Sequence, residues 1–168
     1  MAEQERNSEA ILARYADGPA QLECAISGLK ESELDLAQSS DSWSIRQIVH
    51  HLADGDDIWK IAIKAALGNS SGTYNLLWYW DKPQEEWADS WDYAGRGIES
   101  SLGLLRANRR HMVELLQQIP DAWERYIFIQ RPDGERRQAT VGYIVEMQAN
   151  HVPGHIDDIR RIRQVHGV

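Results

Sequence analysis

The chain has 168 residues, 42% of them hydrophobic, enough to bury one sizeable core, and it is read as a single domain over 1–168. Its 18 basic residues against 26 acidic ones give a formal charge of -8, a surface that repels nucleic acid. Cys24 is the one cysteine, which excludes an intrachain disulfide and a cysteine zinc cluster and leaves His, Asp or Glu to hold any metal.

The opening MAEQERNSEA has no apolar signal core, and no stretch approaches the roughly 20 apolar residues of a membrane span, so a cytoplasmic protein without a membrane partner is expected. Helical periodicity then runs almost throughout, and the expected fold class is all-α. A first helix over about 9–29 contains Gly18-Pro19, where the missing N–H predicts a kink or break. Cys24 falls in it as a small buried apolar residue. The second helix starts at SIRQ, because Ser44 and Gln47 have the spacing of a capping box and Trp43 and Ile48 that of a hydrophobic staple. Gly68 stops it after Leu67. Residues 68–83, GNSSGTYNLLWYWDKP, predict a long loop whose Trp78, Tyr79 and Trp80 form either a lid or wall over a metal or part of a subunit interface.

A third helix spans 93–118 and ends before Pro120; its cluster Arg106, Arg109 and Arg110 either meets an acidic substrate or, as such runs usually do, marks a solvated face, and His111 among them reads as surface. The segment ERYIFIQRPDGERRQ alternates around a Pro-Asp-Gly turn, as a small hairpin does. Thr140 then caps a fourth helix reaching about residue 163. Four amphipathic stretches around one core predict a four-helix bundle with a long loop after helix two.

Helix angles of about 100° per residue sort the histidines. On the fourth helix Val141, Ile144, Val145, Val152, Ile159 and Ile162 mark the apolar stripe, and His151 and His155 fall inside it. On the second helix the stripe is Ile45, Ile48, Val49, Leu52, Trp59 and Ile63; His50 lies nearly opposite and is expected in solvent, while His51 sits at the edge and can turn inward. Gly55 and Asp56 take stripe positions, predicting a small polar opening one turn from His51. Three in-facing imidazoles on two helices predict a metal site; the competing reading is a hydrogen-bonded polar layer of the core. Pro153 either opens the helix toward a ligand cavity or disturbs the ligand spacing. Asp56 keeps three roles open: general base, acceptor orienting a ligating imidazole, or plain acidic helix surface.

WSIRQIVHHLAD at 43–54, paired with the late His151-x-x-x-His155, resembles the motifs of the DinB/YfiT-like metalloenzyme family, and the resemblance extends over nearly the whole chain. It implies a four-helix bundle that binds zinc or nickel through His51, His151 and His155, and a homodimer. The departure from the family pattern is Pro153-Gly154 between the last two ligands. Three neutral imidazoles leave a divalent ion its full charge and an open position, suited to acidifying water for hydrolysis or holding a thiol as thiolate for transfer. Relatives of this kind include enzymes dependent on low-molecular-weight thiols, so the resemblance implies a thiol-dependent transferase or a hydrolase acting on a small molecule. The alternative is a non-catalytic, metal-binding stress-response bundle or dimeric interaction module.

Overall fold

In the computed structural model, which describes the backbone from residue 2 and side chains from residue 6, the elements follow the order α1 (Ala2–Ile26), a 3-10 turn (Glu31–Glu33), α2 (Ile45–Gly68), β1 (Thr73–Asn75), α3 (Leu77–Trp80), α4 (Gln84–Ser90), α5 (Glu99–Gln118), β2 (Tyr126–Gln130), β3 (Arg136–Thr140) and α6 (Val141–His166). The four long helices form a four-helix bundle in which α1 packs on α5 and α6, and α2 packs on the same two. Two of them begin on the predicted caps. Ser44 accepts from the Gln47 N–H while Gln47 Oε1 accepts from the Ser44 N–H, and Thr140 Oγ1 accepts from the Tyr143 N–H.

The hairpin also forms where its alternation pointed. β2 and β3 pair antiparallel, with Ile127 opposite Ala139, and Gly134 takes the left-handed turn position at φ 84°. Inside the 68–83 segment, β1 adds to β2 in parallel, Thr73 facing Phe128. Three residues with a partner more than fifty positions away leave no local signal, so a strand appears where the turn residues predict only loop. α5 starts at Glu99 rather than 93, because residues 91–98 turn, with Asp92 at φ 50°.

Two apolar clusters fill the bundle. One gathers Tyr15, Ile63, Met112, Ile144 and the inner face of the sheet; the other gathers Leu22, Val49, Leu52, Leu105, Val152 and Ile159. Between them each long helix changes character: α1 at Gly18-Pro19, α2 at Gly55-Asp56, α5 at Asn108-Arg109, α6 at Gln148 and His151.

Arg109 is the centre of this polar layer and is 1% exposed, not part of a solvated arginine face. Its Nε donates to Asp56 Oδ1 at 2.9 Å, Nη1 to the Tyr15 carbonyl at 2.9 Å and Nη2 to the Gln148 carbonyl at 2.9 Å, so one guanidinium touches all four long helices. The Tyr15 carbonyl is available because its helical partner four residues on is Pro19, which has no N–H. Gly18 leaves the room: a Cβ there would stand 2.3 Å from Arg109 Nη1. Of the kink or break expected at Gly18-Pro19, the break does not occur: α1 runs on through Pro19, with Arg109 donating to the carbonyl the proline leaves unpaired. Cys24, expected in the core, is exposed on the same helix.

Burial pushes the Asp56 carboxyl up from its ordinary value, while the Arg109 charge pulls it back. Arg109→Met should therefore destabilise by about 3–5 kcal/mol, since it strands a buried carboxylate, whereas Arg109→Met with Asp56→Leu should lose far less than the sum of the single changes. Urea denaturation of the three variants checks this. Additive losses would show that the two side chains do not act as a pair.

Candidate metal centre

α2 and α6 bring His51, His151 and His155 together, and their ligand atoms all lie within 4.8 Å of one another. Nε2 of His151 stands 3.1 Å from Nε2 of His51 and 3.2 Å from Nε2 of His155. A neutral ring nitrogen offers one N–H or one lone pair, so the His151 nitrogen can hydrogen-bond to only one of these two neighbours. A cation facing three lone pairs satisfies all of them. Nitrogens bonded to one tetrahedral zinc at about 2.0–2.1 Å stand about 3.3–3.4 Å apart, so the two separations made by His151 are close to those around a divalent transition ion.

The electrostatics prepare the same state. Burial, then the neighbouring imidazoles, takes His51 down to about 3; burial, then His155 and Arg109, takes His151 down to about 4. His155 is lowered by burial against the pull of Asp158. Neutral imidazole is the ligating form, and these shifts keep protons off it at neutral pH. Asp158 Oδ2 lies 3.2 Å from His155 Nδ1, near enough to favour a proton there but angled so that no hydrogen bond is made. Trp43 packs its ring 4.5 Å from that of His51 and 6.4 Å, near parallel, from that of His155. A cavity of about 360 Å³ opens beside them, lined by Trp43, Ile48, Asp41, Glu85, His155 and Asp158 among others.

Other expectations are redrawn. His50 is not solvated: it is 1% exposed, with Nδ1 2.7 Å from Ser101 Oγ and Nε2 3.2 Å from the Arg96 carbonyl. The turn at 91–98 and α5 cover the face of α2 that a single stripe leaves open. The small opening expected at Gly55-Asp56 is filled, on one side by the His151 ring, whose Cε1 lies 3.9 Å from where a Gly55 Cβ would stand, and on the other by Arg109. Asp56 is buried and held by Arg109, so it is not plain helix surface, and it makes no hydrogen bond to the three imidazoles, so it is not the acceptor that orients one of them. Trp78, Tyr79 and Trp80 do not line the cavity at His155; Tyr79 stacks on Trp87 and Trp78 meets Trp87 edge to face, and Trp43 is the aromatic wall instead. In sequence Trp43 reads as a staple and as the first residue of the 43–54 motif, not as a cavity wall, and Asp158 carries no signal beyond lying three residues after His155 on the same helix. No described helix is long and apolar enough to cross a membrane.

The bundle gathers three imidazoles that could hold a metal ion, with no fourth ligating group in the cluster among the described residues, the donor set of an open rather than a closed site. The chain belongs to the DinB superfamily, whose family model matches residues 14–159 and so contains all three histidines. It is 27% identical over 150 residues to a Geobacillus kaustophilus protein named "Putative metal-dependent hydrolase", covering 89% of this chain and 80% of that one. A protein of the same name from Oceanobacillus iheyensis is 32% identical over 105 residues, 61% of this chain and 56% of its own length. In fold, the chain is similar to YfiT from Bacillus subtilis, described as a probable metal-dependent hydrolase with an unusual four-helix bundle topology, with a TM-score of 0.81 at 22% identity over 95% of this chain and 87% of that one. A mycothiol-dependent maleylpyruvate isomerase aligns with a TM-score of 0.65 at 13% identity, over 90% of this chain and 60% of that one.

Because His51 and His151 resist protonation only when folded, the unfolded chain binds more protons between its ordinary histidine value, about 6.5, and the depressed ones. Stability of the metal-free protein should fall as pH falls through about 6.5 to 4.5, a window above most carboxylate titrations. A His51→Gln, His151→Gln variant should flatten that slope in thermal unfolding; an equal slope in both proteins would place the proton uptake elsewhere.

Proposed function

We propose that this protein is a divalent-metal-dependent enzyme acting on a small molecule, its ion held by His51, His151 and His155. The observation that carries the reading is the position of His151 Nε2, set between two other ring nitrogens and unable to hydrogen-bond to both. When bound, zinc or nickel would acidify water or hold a thiol as its thiolate. His155 carries the site to the cavity wall, Asp158 favours the Nδ1 proton that leaves its Nε2 lone pair free, and Trp43 shields the His51 ring from water. Asp56 acts at one remove, through Arg109, whose charge helps keep the proton off His151.

Hydrolysis is the first reading, supported by the names of the relatives. Transfer dependent on a low-molecular-weight thiol is the second, supported by the fold shared with the mycothiol-dependent isomerase. A purely structural ion is disfavoured because the two apolar clusters and Arg109 already tie the helices together. The reading places the protein in the cytoplasm. It also includes a homodimer, for which Ile61, Leu77 and Trp78 supply exposed apolar surface.

Elemental analysis of tag-free protein should find about one equivalent of metal, lost in His51→Ala and in His155→Ala, with the chelated protein still folded by circular dichroism. Equal metal in the variants would remove the three-histidine site, and unfolding on chelation would make the ion structural. With metal restored, hydrolysis of esters and amides is compared with consumption of a thiol by an electrophile. Sedimentation of wild type against Trp78→Glu tests the dimer: a monomeric wild type, or a dimer untouched by the substitution, rejects this face.

A further inference from the structure

The cavity beside the histidine cluster has a one-sided charge. Its walls come from the segment before α2 (Asp41, Trp43), the start of α4 (Glu85) and α6 (His155, Asp158), and they present three carboxylates with no lysine or arginine. Asp158 is partly offset by Arg161 at 3.2 Å and by the His155 ring. Asp41 and Glu85 have no such offset: among the described residues no basic side chain stands within ion-pair distance of either, Lys82 being turned to Glu86. Alongside them Trp43 contributes an indole, the aromatic surface best suited to a cation. At about 360 Å³ the space lies at the lower end of the roughly 300–1,000 Å³ that small ligands occupy.

Resting on the enzymatic reading above, we propose that the substrate of this centre is a small organic cation. Its ammonium group lies on the Trp43 face with Asp41 and Glu85 as counter-charges, leaving its other end toward His155. Carboxylates around a partly enclosed cleft concentrate cations and repel anions, so they select by charge before any chemistry takes place. An anionic substrate would meet Asp41, Glu85 and Asp158 together with no basic residue of the lining to receive it. The aromatic wall adds what the carboxylates lack, preference for a bulky, weakly hydrated ammonium over a simple metal cation.

The test uses two permanently charged probes that are poor metal ligands, benzyltrimethylammonium and benzenesulfonate, titrated calorimetrically into the full, zinc-supplemented chain at low salt. The cation should bind at least about ten-fold more tightly than the sulfonate, weaken as salt rises, and lose about ten-fold in the Asp41→Asn, Glu85→Gln variant. It should also shift the Trp43 indole N–H resonance, assigned through Trp43→Phe. Equal binding of the two probes, or an unchanged affinity in the double variant, overturns the inference. Zinc content of the same samples is measured separately, so failure of the metal centre appears as absent zinc and is distinguishable from failure of the charge preference.

Discussion

The interaction on which the bundle depends is the set of hydrogen bonds made by Arg109. A buried guanidinium is tolerable only when its donors are satisfied and its charge is paired. Here the pairing comes from α2, through Asp56, and the other satisfied donors reach backbone carbonyls of α1 and α6. Because those carbonyls belong to fixed positions, the guanidinium sets the axial register of three helices against α5. Apolar packing alone tolerates sliding by a turn far better than a forked donor does. His51 and His151 lie within a turn or two of Asp56 and Gln148, so the same register brings the imidazoles to one height.

Two irregularities of sequence become one device in this light. Pro19 removes a donor from α1 and Gly18 removes a side chain, and each loss supplies something Arg109 uses, an unpaired acceptor and a space. The guanidinium also stacks over the Tyr15 ring, 4.4 Å from its centre, and burial in this layer pushes the Tyr15 hydroxyl up from its ordinary value. α6 carries its own proline, Pro153, between His151 and His155, yet remains helical from Val141 to His166 with the two rings 4.8 Å apart. The spacing survives because the proline ring faces out, exposed, while Val152 and Ile156 hold the inner face.

Much of this was legible in the sequence where the cause is local. Caps act over three residues, hairpin alternation over five, and the i,i+4 spacing of His151 and His155 is a property of any helix, so Ser44, Thr140, Ile127 and the histidine pair could be placed without a structure. Burial on the second side of a helix is different, because it depends on what packs there. α2 is covered by α5 and the 91–98 turn as well as by α6, and His50 is buried by partners about fifty positions away. Arg109 was hidden by its neighbours Arg106 and Arg110, which are exposed. The signal that could have found it was indirect: an Asp at a core position of α2 requires a cation, and a Gly-Pro pair inside an amphipathic helix offers a carbonyl and a gap to receive one.

The charges around the three histidines run in one direction across α6. Arg109, on the inner side, disfavours a proton on His151; Asp158, on the outer side, attracts one to His155 Nδ1. A positive group behind the ring and a negative one in front together bias the site toward neutral imidazoles with Nε2 unprotonated, the form a metal requires. Three neutral ligands would leave a divalent ion uncompensated, and the nearest balancing charge is the carboxylate wall of the cavity rather than a ligand. Neutral donors inside and anionic walls outside would leave a bound ion electrophilic while lowering the cost of holding it. Replacing Asp41 or Glu85 should therefore act on which molecules approach, whereas replacing Arg109 should act on the protonation of the His151 ring itself, because its charge acts on that ring through a buried medium of low dielectric.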